Sequence, residues 1–204
     1  NATPAQAAEL TPARLAAACW VLLLPVLRSW PDAGAGLALV TGWVAPAWLM
    51  WLGAECGLWR TGPATATWIF LTVLAAGGVV AWLRRRTVAQ LLRARRRDAL
   101  LVLAVAGVVW LLFLAARAGN PAIFWGEKPM DFSFLNAFLR ASSWPPDEPW
   151  MAGMPLHYYY FGQVLSSFPI LVAGSHPAVG YNLMAASIPA LAAALLAPLG
   201  LALA

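Results

Sequence analysis

The 204-residue chain is 62% hydrophobic and only 10% charged, and its mean hydropathy is +0.72. A soluble domain carries roughly 25% charged residues, so this composition excludes a soluble globular protein and indicates that lipid covers much of the surface. The net charge of +5 does not indicate a nucleic-acid partner, because seven of the thirteen Lys and Arg residues lie in one stretch, Arg84 to Arg97.

Continuous apolar runs predict an all-α transmembrane fold with about six membrane helices. Lipid offers no partner to unpaired backbone groups, so spanning segments must be helices or closed barrels. Barrel strands would alternate apolar and polar residues, and these runs do not alternate. The predicted helices cover residues 14–27, 37–54, 64–83, 99–116, 158–173 and 179 to the last residue.

The basic stretch sets the expected orientation of a multi-pass protein of the cell membrane. RRRTVAQLLRARRR, residues 84–97, predicts a short cytoplasmic loop, because short loops rich in Arg and Lys stay inside. The fourth helix then leads outward, so the long connection from 117 to 157 is expected to be extracytoplasmic. GSHPAVG, residues 174–180, is expected to form a turn at the cytoplasmic face.

Two parts are expected along the chain. Residues 1–98 hold membrane helices one to three and the basic loop, and residues 99–204 hold helix four, the outer loop and helices five and six. The chain begins without Met and ends inside the apolar run LAPLGLALA. We therefore expect a truncated piece whose partners are membrane lipid and either the remainder of a longer chain or other membrane subunits.

The outer loop gathers half of the eight acidic residues. Glu127 and Asp131 fall within WGEKPMDFSFL, and Asp147 and Glu148 follow in WPPDEPW. Adjacent carboxylates in an extended segment point to opposite sides, so one of the second pair, Glu148, is expected to contact substrate. A solvated loop is the plainer explanation for each of these two acids.

Asp131 is a good N-cap for a short helix over residues 132–140, which is expected to lie along the membrane surface. The structural explanation for the first acid pair is therefore capping by Asp131 and pairing of Glu127 with Lys128. The functional explanation is that the two carboxylates bind a divalent cation, Mg²⁺ or Mn²⁺, or that one of them accepts a proton. Both explanations can hold together.

HYYYFG, residues 157–162, places three Tyr in succession. Aromatic residues collect at membrane interfaces, which is the plain explanation. On a helix, successive residues are about 100° apart, so Tyr158, Tyr159 and Tyr160 cannot all face headgroups. At least one hydroxyl is expected to point into the protein and to find a polar partner there.

Three further residues of the outer loop are candidates for binding. Lys128 and Arg140 are the cations of the loop beyond Arg117, and a substrate that carries phosphate would need positive charge near the acids. His157 directly precedes the Tyr triplet. A capping or hydrogen-bonding role for His157 is expected more often than a ligand role.

Four segments in this order, EKPMDFSFLNAFLR, PPDEPW, HYYYFG and YN at residues 181–182, resemble the YYY-motif family of uncharacterised multi-pass membrane proteins. The family more often has Asn at the position of His157, which counts against a catalytic role for this His. The family is similar in layout to the glycosyltransferase-C superfamily, which carries an acidic motif in its first large outer loop.

The resemblance implies glycosyl transfer from a polyprenyl-phosphate sugar at the outer membrane face. Asp131 or Glu127 would deprotonate the acceptor, and Lys128, Arg140 or a divalent cation would stabilise the leaving phosphate. Tyr158, Tyr159 and Tyr160 would line the donor groove. The alternatives are a transporter or flippase for a lipid-linked or anionic solute, which predicts ionisable residues inside the spans, a non-catalytic scaffold subunit, and a different outer-face transferase.

Overall fold

A computed structural model of the chain describes residues 4–151 and 153–203. Among these residues the regular elements are seven α-helices, and α2, α3, α4 and α7 are each long and apolar enough to cross a membrane. The expectation of a multi-pass helical membrane protein is thus supported, whereas six spans are not shown. The helices are α1 Pro4–Leu27, α2 Ala35–Glu55, α3 Pro63–Leu83, α4 Arg85–Gly119, α5 Lys128–Arg140, α6 Phe161–Ala173 and α7 Pro177–Leu203.

Helices α2 and α3 begin and end within two residues of the predicted bounds. The turn before α2 is fixed by Asp32, whose buried carboxylate accepts hydrogen bonds from the backbone N–H groups of Gly34 (2.9 Å) and Gly36 (2.7 Å). These bonds satisfy backbone donors that a helix start leaves unpaired. A side chain at Gly34 would collide with Leu27, and its φ of +78° also favours glycine.

The basic stretch is helical rather than a loop, which corrects the prediction for residues 84–97. α3 ends at Leu83 and α4 begins at Arg85, so Arg84 alone separates them. Arg, Ala, Leu and Gln are all good helix formers, and nothing between Arg85 and the apolar run breaks the helix. The 35 residues of α4 reach about 52 Å at 1.5 Å per residue, which exceeds the roughly 30 Å hydrocarbon core.

α6 differs from the predicted fifth membrane span. Its 13 residues reach only about 20 Å, less than the roughly 30 Å of a hydrocarbon core. Asn182, near the start of α7, donates a hydrogen bond to the carbonyl of Pro121, just beyond the end of α4 (3.2 Å). The start of α7 therefore lies beside the segment that begins at Asn120, and the cytoplasmic side predicted for residues 174–180 stays a prediction. An apolar run of this length also suits a helix buried in protein.

The chain forms two compact units. One contains Val44–Leu71 and Asn120–Met184, including α5 and α6, and the other contains Pro12–Trp43, Thr72–Gly119 and Ala185–Ala204. In the first unit, α5 packs against α6 through an apolar face that buries Phe134, Leu135 and Phe138. The predicted division of the chain into residues 1–98 and residues 99–204 stays a prediction.

Candidate functional site

The start of α5 carries the first acid pair. Glu127 occupies the N-cap position without a side-chain capping bond, and Asp131 lies inside the first turn, where its N–H donates to the Glu127 carbonyl (2.9 Å). The predicted capping role of Asp131 is therefore wrong. Proline is tolerated in the first turn of a helix, so Pro129 lets α5 begin four residues earlier than predicted. The Asp131 carboxylate is consequently not used as a cap.

Two buried aromatic rings of α5 hold the Tyr-containing segment. Phe134 contacts Tyr158, with ring centroids 5.6 Å apart, and Phe138 contacts Tyr160 at 5.1 Å. Phe138 also packs edge-on against Trp144, whose indole Nε1 donates to the Phe138 carbonyl (3.2 Å). The apolar face of α5 thus fixes where each Tyr lies.

Asp131 is half-buried, and its pKa is raised above the usual range of a carboxyl group. Burial is the larger cause, because it disfavours the charged form, and the negative charge of nearby Glu127 adds to it. Glu127 itself is exposed. The structure shows no ion pair between Glu127 and Lys128, which was the structural explanation for Glu127. A carboxylate with a raised pKa is a better proton acceptor at neutral pH.

Tyr158 and Tyr159 lie next to this acid pair. The Tyr158 hydroxyl donates a hydrogen bond to the Tyr159 hydroxyl, and the two rings are in contact at a tilt of 32°, with centroids 3.8 Å apart. The pKa of Tyr158 is raised to about 12, first by the hydrogen bond with Tyr159, then by partial desolvation and by the charges of Tyr159, Glu127 and Asp131. The negative charges of both acids therefore contribute to the raised pKa of the Tyr158 hydroxyl. We call these four residues the acid–tyrosine cluster.

Tyr160 has a different environment. Its hydroxyl donates to Oε1 of Glu55, at the end of α2, over 3.0 Å. Burial raises the pKa of Tyr160, the nearby indole N–H of Trp51 lowers it in part, and the neighbouring Glu55 carboxylate raises it by a smaller amount. Glu55 directly follows the predicted span 37–54, and nothing in the sequence linked it to the Tyr triplet. The available signal was weak, since an acid at a helix end is common on any membrane protein.

The indole Nε1 of Trp51, one turn before Glu55 on α2, is buried, and its neighbouring acceptor is the hydroxyl oxygen of Tyr160. The ring packs edge-on against Phe161, the first residue of α6, with centroids 5.7 Å apart. Buried polar groups usually have a partner. The environment of Tyr160 therefore contains an indole donor as well as a carboxylate.

The cations and His157 are less closely associated with the cluster than predicted. Lys128 lies one turn before Asp131 on α5, but Arg140 follows Asp131 by nine residues, which is about 13 Å along the helix axis. Arg140 is therefore not beside the carboxylates. His157 is exposed and forms no hydrogen bond with a described residue, so its expected hydrogen-bonding role is not seen.

Glu148 belongs to a short hairpin-like turn. Its N–H donates to the Met154 carbonyl (2.8 Å), and the Leu156 N–H donates to the Pro146 carbonyl (2.9 Å). The Glu148 carboxylate accepts a hydrogen bond from the Trp150 N–H (3.3 Å), which closes the turn locally. This contact favours the structural explanation, and the substrate-binding role of Glu148 stays a prediction.

The YN pair joins the same unit. Tyr181 packs edge-on against Phe132 of α5, with centroids 5.7 Å apart. Asn182 donates to the carbonyls of Pro121 (3.2 Å) and Ala178 (3.0 Å). The start of α7 thus contacts α5 through Tyr181 and the segment before α5 through Asn182.

The acids could hold a metal only in combination with a substrate. No group of three or more His, Cys, Asp or Glu side chains suited to a metal ion occurs among the residues that the structure describes. Glu127 and Asp131 form a pair of carboxylates. Mg²⁺ is commonly bound through one or two carboxylates together with phosphate oxygens of the substrate, so two acids suffice if a phosphate completes the coordination.

Residues 46–204 of the chain match the family described as "Uncharacterized membrane protein (DUF2298)". This match includes α3 to α7, the acid–tyrosine cluster and the environment of Tyr160. No match was found among curated proteins or among solved structures. With well over half of its length matched, the chain belongs to this family of uncharacterized membrane proteins.

Proposed function

We propose that the acid–tyrosine cluster is the catalytic site of a membrane glycosyltransferase that uses a polyprenyl-phosphate sugar. The observation that carries the proposal is the position of Asp131: a half-buried carboxylate with a raised pKa, beside a second acid and two Tyr hydroxyls. A proton acceptor and hydrogen-bond donors for a polar substrate thus lie together in a chain that is otherwise largely apolar.

Asp131 acts as the general base in this mechanism. The acceptor hydroxyl gives its proton to the Asp131 carboxylate while its oxygen bonds to the anomeric carbon of the donor. The bond from that carbon to the phosphate oxygen breaks, and the phosphate keeps the electron pair. The raised pKa brings Asp131 nearer to the operating pH, where general-base catalysis is most efficient.

The other members of the site bind and stabilise. Tyr158 stays protonated at neutral pH because its pKa is about 12, and it donates its hydroxyl hydrogen to Tyr159, whose own hydroxyl can donate to a sugar or phosphate oxygen. Lys128, one turn from Asp131, supplies positive charge for the leaving phosphate. A divalent cation held by Glu127 would supply further positive charge there.

The arrangement of α4 supports an extracytoplasmic site. Seven Arg residues lie at 84–97, one just before the long helix and six in its first part, and such clusters favour the cytoplasmic side. The acid–tyrosine cluster comes after the C-terminal end of α4 in the sequence. Under this orientation the acid–tyrosine cluster lies at the outer face, and α6 does not return the chain to the inside.

The test is sugar transfer by the full-length protein in right-side-out membrane vesicles, with donor and acceptor supplied from outside. Asp131→Asn keeps the size of the side chain but removes the proton acceptor. We expect its turnover to fall about 10²–10⁴-fold, with Glu127→Gln also impaired. Asp147→Asn is the matched control, because it neutralises an exposed acid of the same loop outside the cluster, and it should retain full activity.

Folded protein is quantified in parallel by size-exclusion chromatography, so that a loss of stability is not counted as a loss of catalysis. Full turnover per folded molecule in both Asp131→Asn and Glu127→Gln would contradict the proposal. Activity only after permeabilisation would contradict the assigned membrane face while leaving the roles of the residues intact.

A further inference from the structure

The second compact unit contains a cavity of about 290 Å³ between α1, α2 and the first part of α4. Its surface is almost entirely apolar. The walls are formed mainly by small side chains of α1 and larger ones of α4: Ala13, Ala16, Ala17, Leu91, Leu92 and Leu103. The alanines leave room that longer side chains would fill, so the cavity follows directly from the sequence of α1.

The turn between α1 and α2 gives this cavity a preformed wall. Trp20, which lines the cavity, donates from its indole Nε1 to the Ala33 carbonyl (2.8 Å). Asp32 also lines the cavity, but both of its carboxylate oxygens accept hydrogen bonds from backbone N–H groups at the start of α2. These acceptors are therefore committed to the fold and are not left to bind a cation.

Two arginines supply the remaining charge of the lining. Arg95 and Arg96 border the cavity, and both side chains are exposed. They precede the uninterrupted apolar run that starts at Ala99, so they lie at the border between the polar and apolar parts of α4. Leu91 and Arg95 are four residues apart, as are Leu92 and Arg96, so each arginine lies one turn from a leucine on the same face.

We propose that this cavity binds an anionic phospholipid, with an acyl chain against the alanine and leucine walls and the phosphate on Arg95 and Arg96. Charge complementarity selects this occupant. A soluble anion could pair with the arginines but would make no favourable contact with the apolar walls of the cavity. A neutral lipid could fill the cavity but would not pair with the arginines. Basic residues beside a hydrophobic helix are the typical means of recognising acidic lipids. The proposal is independent of glycosyl transfer.

Binding is measured by native mass spectrometry of the purified full-length protein, titrated separately with phosphatidylglycerol and with phosphatidylcholine of the same acyl chains. We expect the wild-type chain to prefer phosphatidylglycerol. Each basic residue near a lipid headgroup contributes about fivefold in affinity, so Arg95→Gln/Arg96→Gln should weaken phosphatidylglycerol binding roughly 25-fold.

The control is Arg86→Gln/Arg93→Gln, which removes the same charge from the same helix at exposed residues that do not line the cavity. It should bind phosphatidylglycerol within about twofold of the wild-type chain, less than the effect of one headgroup contact. An equal loss in both double variants would overturn the proposal, because general attraction to a basic helix would then suffice. Equal affinity of the wild-type chain for the two lipids would overturn it as well.

A second variant tests the apolar part. Ala17 lines the cavity but is exposed, so Ala17→Phe can fill the space without displacing a buried side chain. It should lower the affinity for phosphatidylglycerol while both arginines remain. Unchanged affinity in correctly folded Ala17→Phe would show that the acyl chain lies elsewhere. Inorganic phosphate serves as a soluble competitor, and complete displacement of the lipid by phosphate at low millimolar concentration would identify a simple anion site instead.

Discussion

Tyr158 and Tyr160 are two residues apart and chemically identical, yet they have different partners. Tyr158 donates a hydrogen bond to Tyr159, and the charges of Glu127 and Asp131 raise its pKa. Tyr160 packs on Phe138 and donates a hydrogen bond to Glu55. The chain bends between them, since the Tyr160 N–H donates to the Tyr158 carbonyl (2.8 Å). A repeated residue type therefore does not define one site.

The two environments differ in what remains available to a ligand. Tyr159 is 78% exposed, so the acid–tyrosine cluster presents hydroxyl groups to the surroundings. Tyr160 is half-buried and its hydroxyl already has an acceptor. Under the proposed function, Tyr158 and Tyr159 would therefore contact substrate, whereas Tyr160 would position the segment that carries them.

The largest expected effect is on the packing around Tyr160. Phe138 is fully buried and contacts both Trp144 and Tyr160. Phe138→Ala leaves a cavity there and should lower the free energy of unfolding by about 3–5 kcal/mol. Chemical denaturation of the chain in detergent measures this change. Tyr159→Ala is the control, because an exposed ring should contribute no more than about 0.5 kcal/mol. Equal losses in the two variants would remove the distinction between the two environments.

A smaller effect is expected from the hydroxyl of Tyr160. Tyr160→Phe removes its hydrogen bond to Glu55, and a double-mutant cycle with Glu55→Gln should give a coupling energy of about 0.5–1.5 kcal/mol. Tyr158→Phe should change stability by less than about 0.5 kcal/mol and should instead reduce sugar transfer. The comparison fails if Tyr160→Phe and Glu55→Gln are additive, or if Tyr158→Phe is the more destabilising substitution.

The long apolar elements could be predicted from the sequence, but the hydropathy of a run did not decide whether lipid or protein covers it. α2 and α3 are apolar on all sides and agree with their predicted bounds. α6 is equally apolar, but its buried residues include Val164, Phe168 and Ile170, which pack within the protein. Hydropathy cannot distinguish a side chain covered by protein from one covered by lipid.

The candidate site was predictable in part. Clustering of acids beside aromatic residues identified Glu127, Asp131 and Tyr158, which interact in the structure. The sequence could not show that Glu55, more than one hundred residues away, accepts a hydrogen bond from Tyr160, because such a contact depends on tertiary packing. It also could not place Arg140, whose distance from Asp131 depends on α5 continuing without a break.

The smallest expected effect concerns the titration of Asp131, which distinguishes the environment of Tyr158 from that of Tyr160. Because the pKa of Asp131 is raised in the folded protein above its ordinary value of 3.8, the folded state favours the protonated carboxyl group. The stability associated with this group is complete below pH 3.8 and is lost as the pH rises through the raised pKa.

Asn cannot ionise, so Asp131→Asn should be more stable than the wild-type chain at neutral pH, and this advantage should vanish in acid. The carboxyl group is only half-buried and solvent screens its charge, which limits the gain to about 0.5 kcal/mol. Thermal unfolding of both proteins between pH 3 and pH 8 measures the difference. An advantage of Asp131→Asn that is constant across this range, or that grows in acid, would show that ionisation of Asp131 does not oppose folding. The raised pKa, and with it the case for Asp131 as the base, would then be lost.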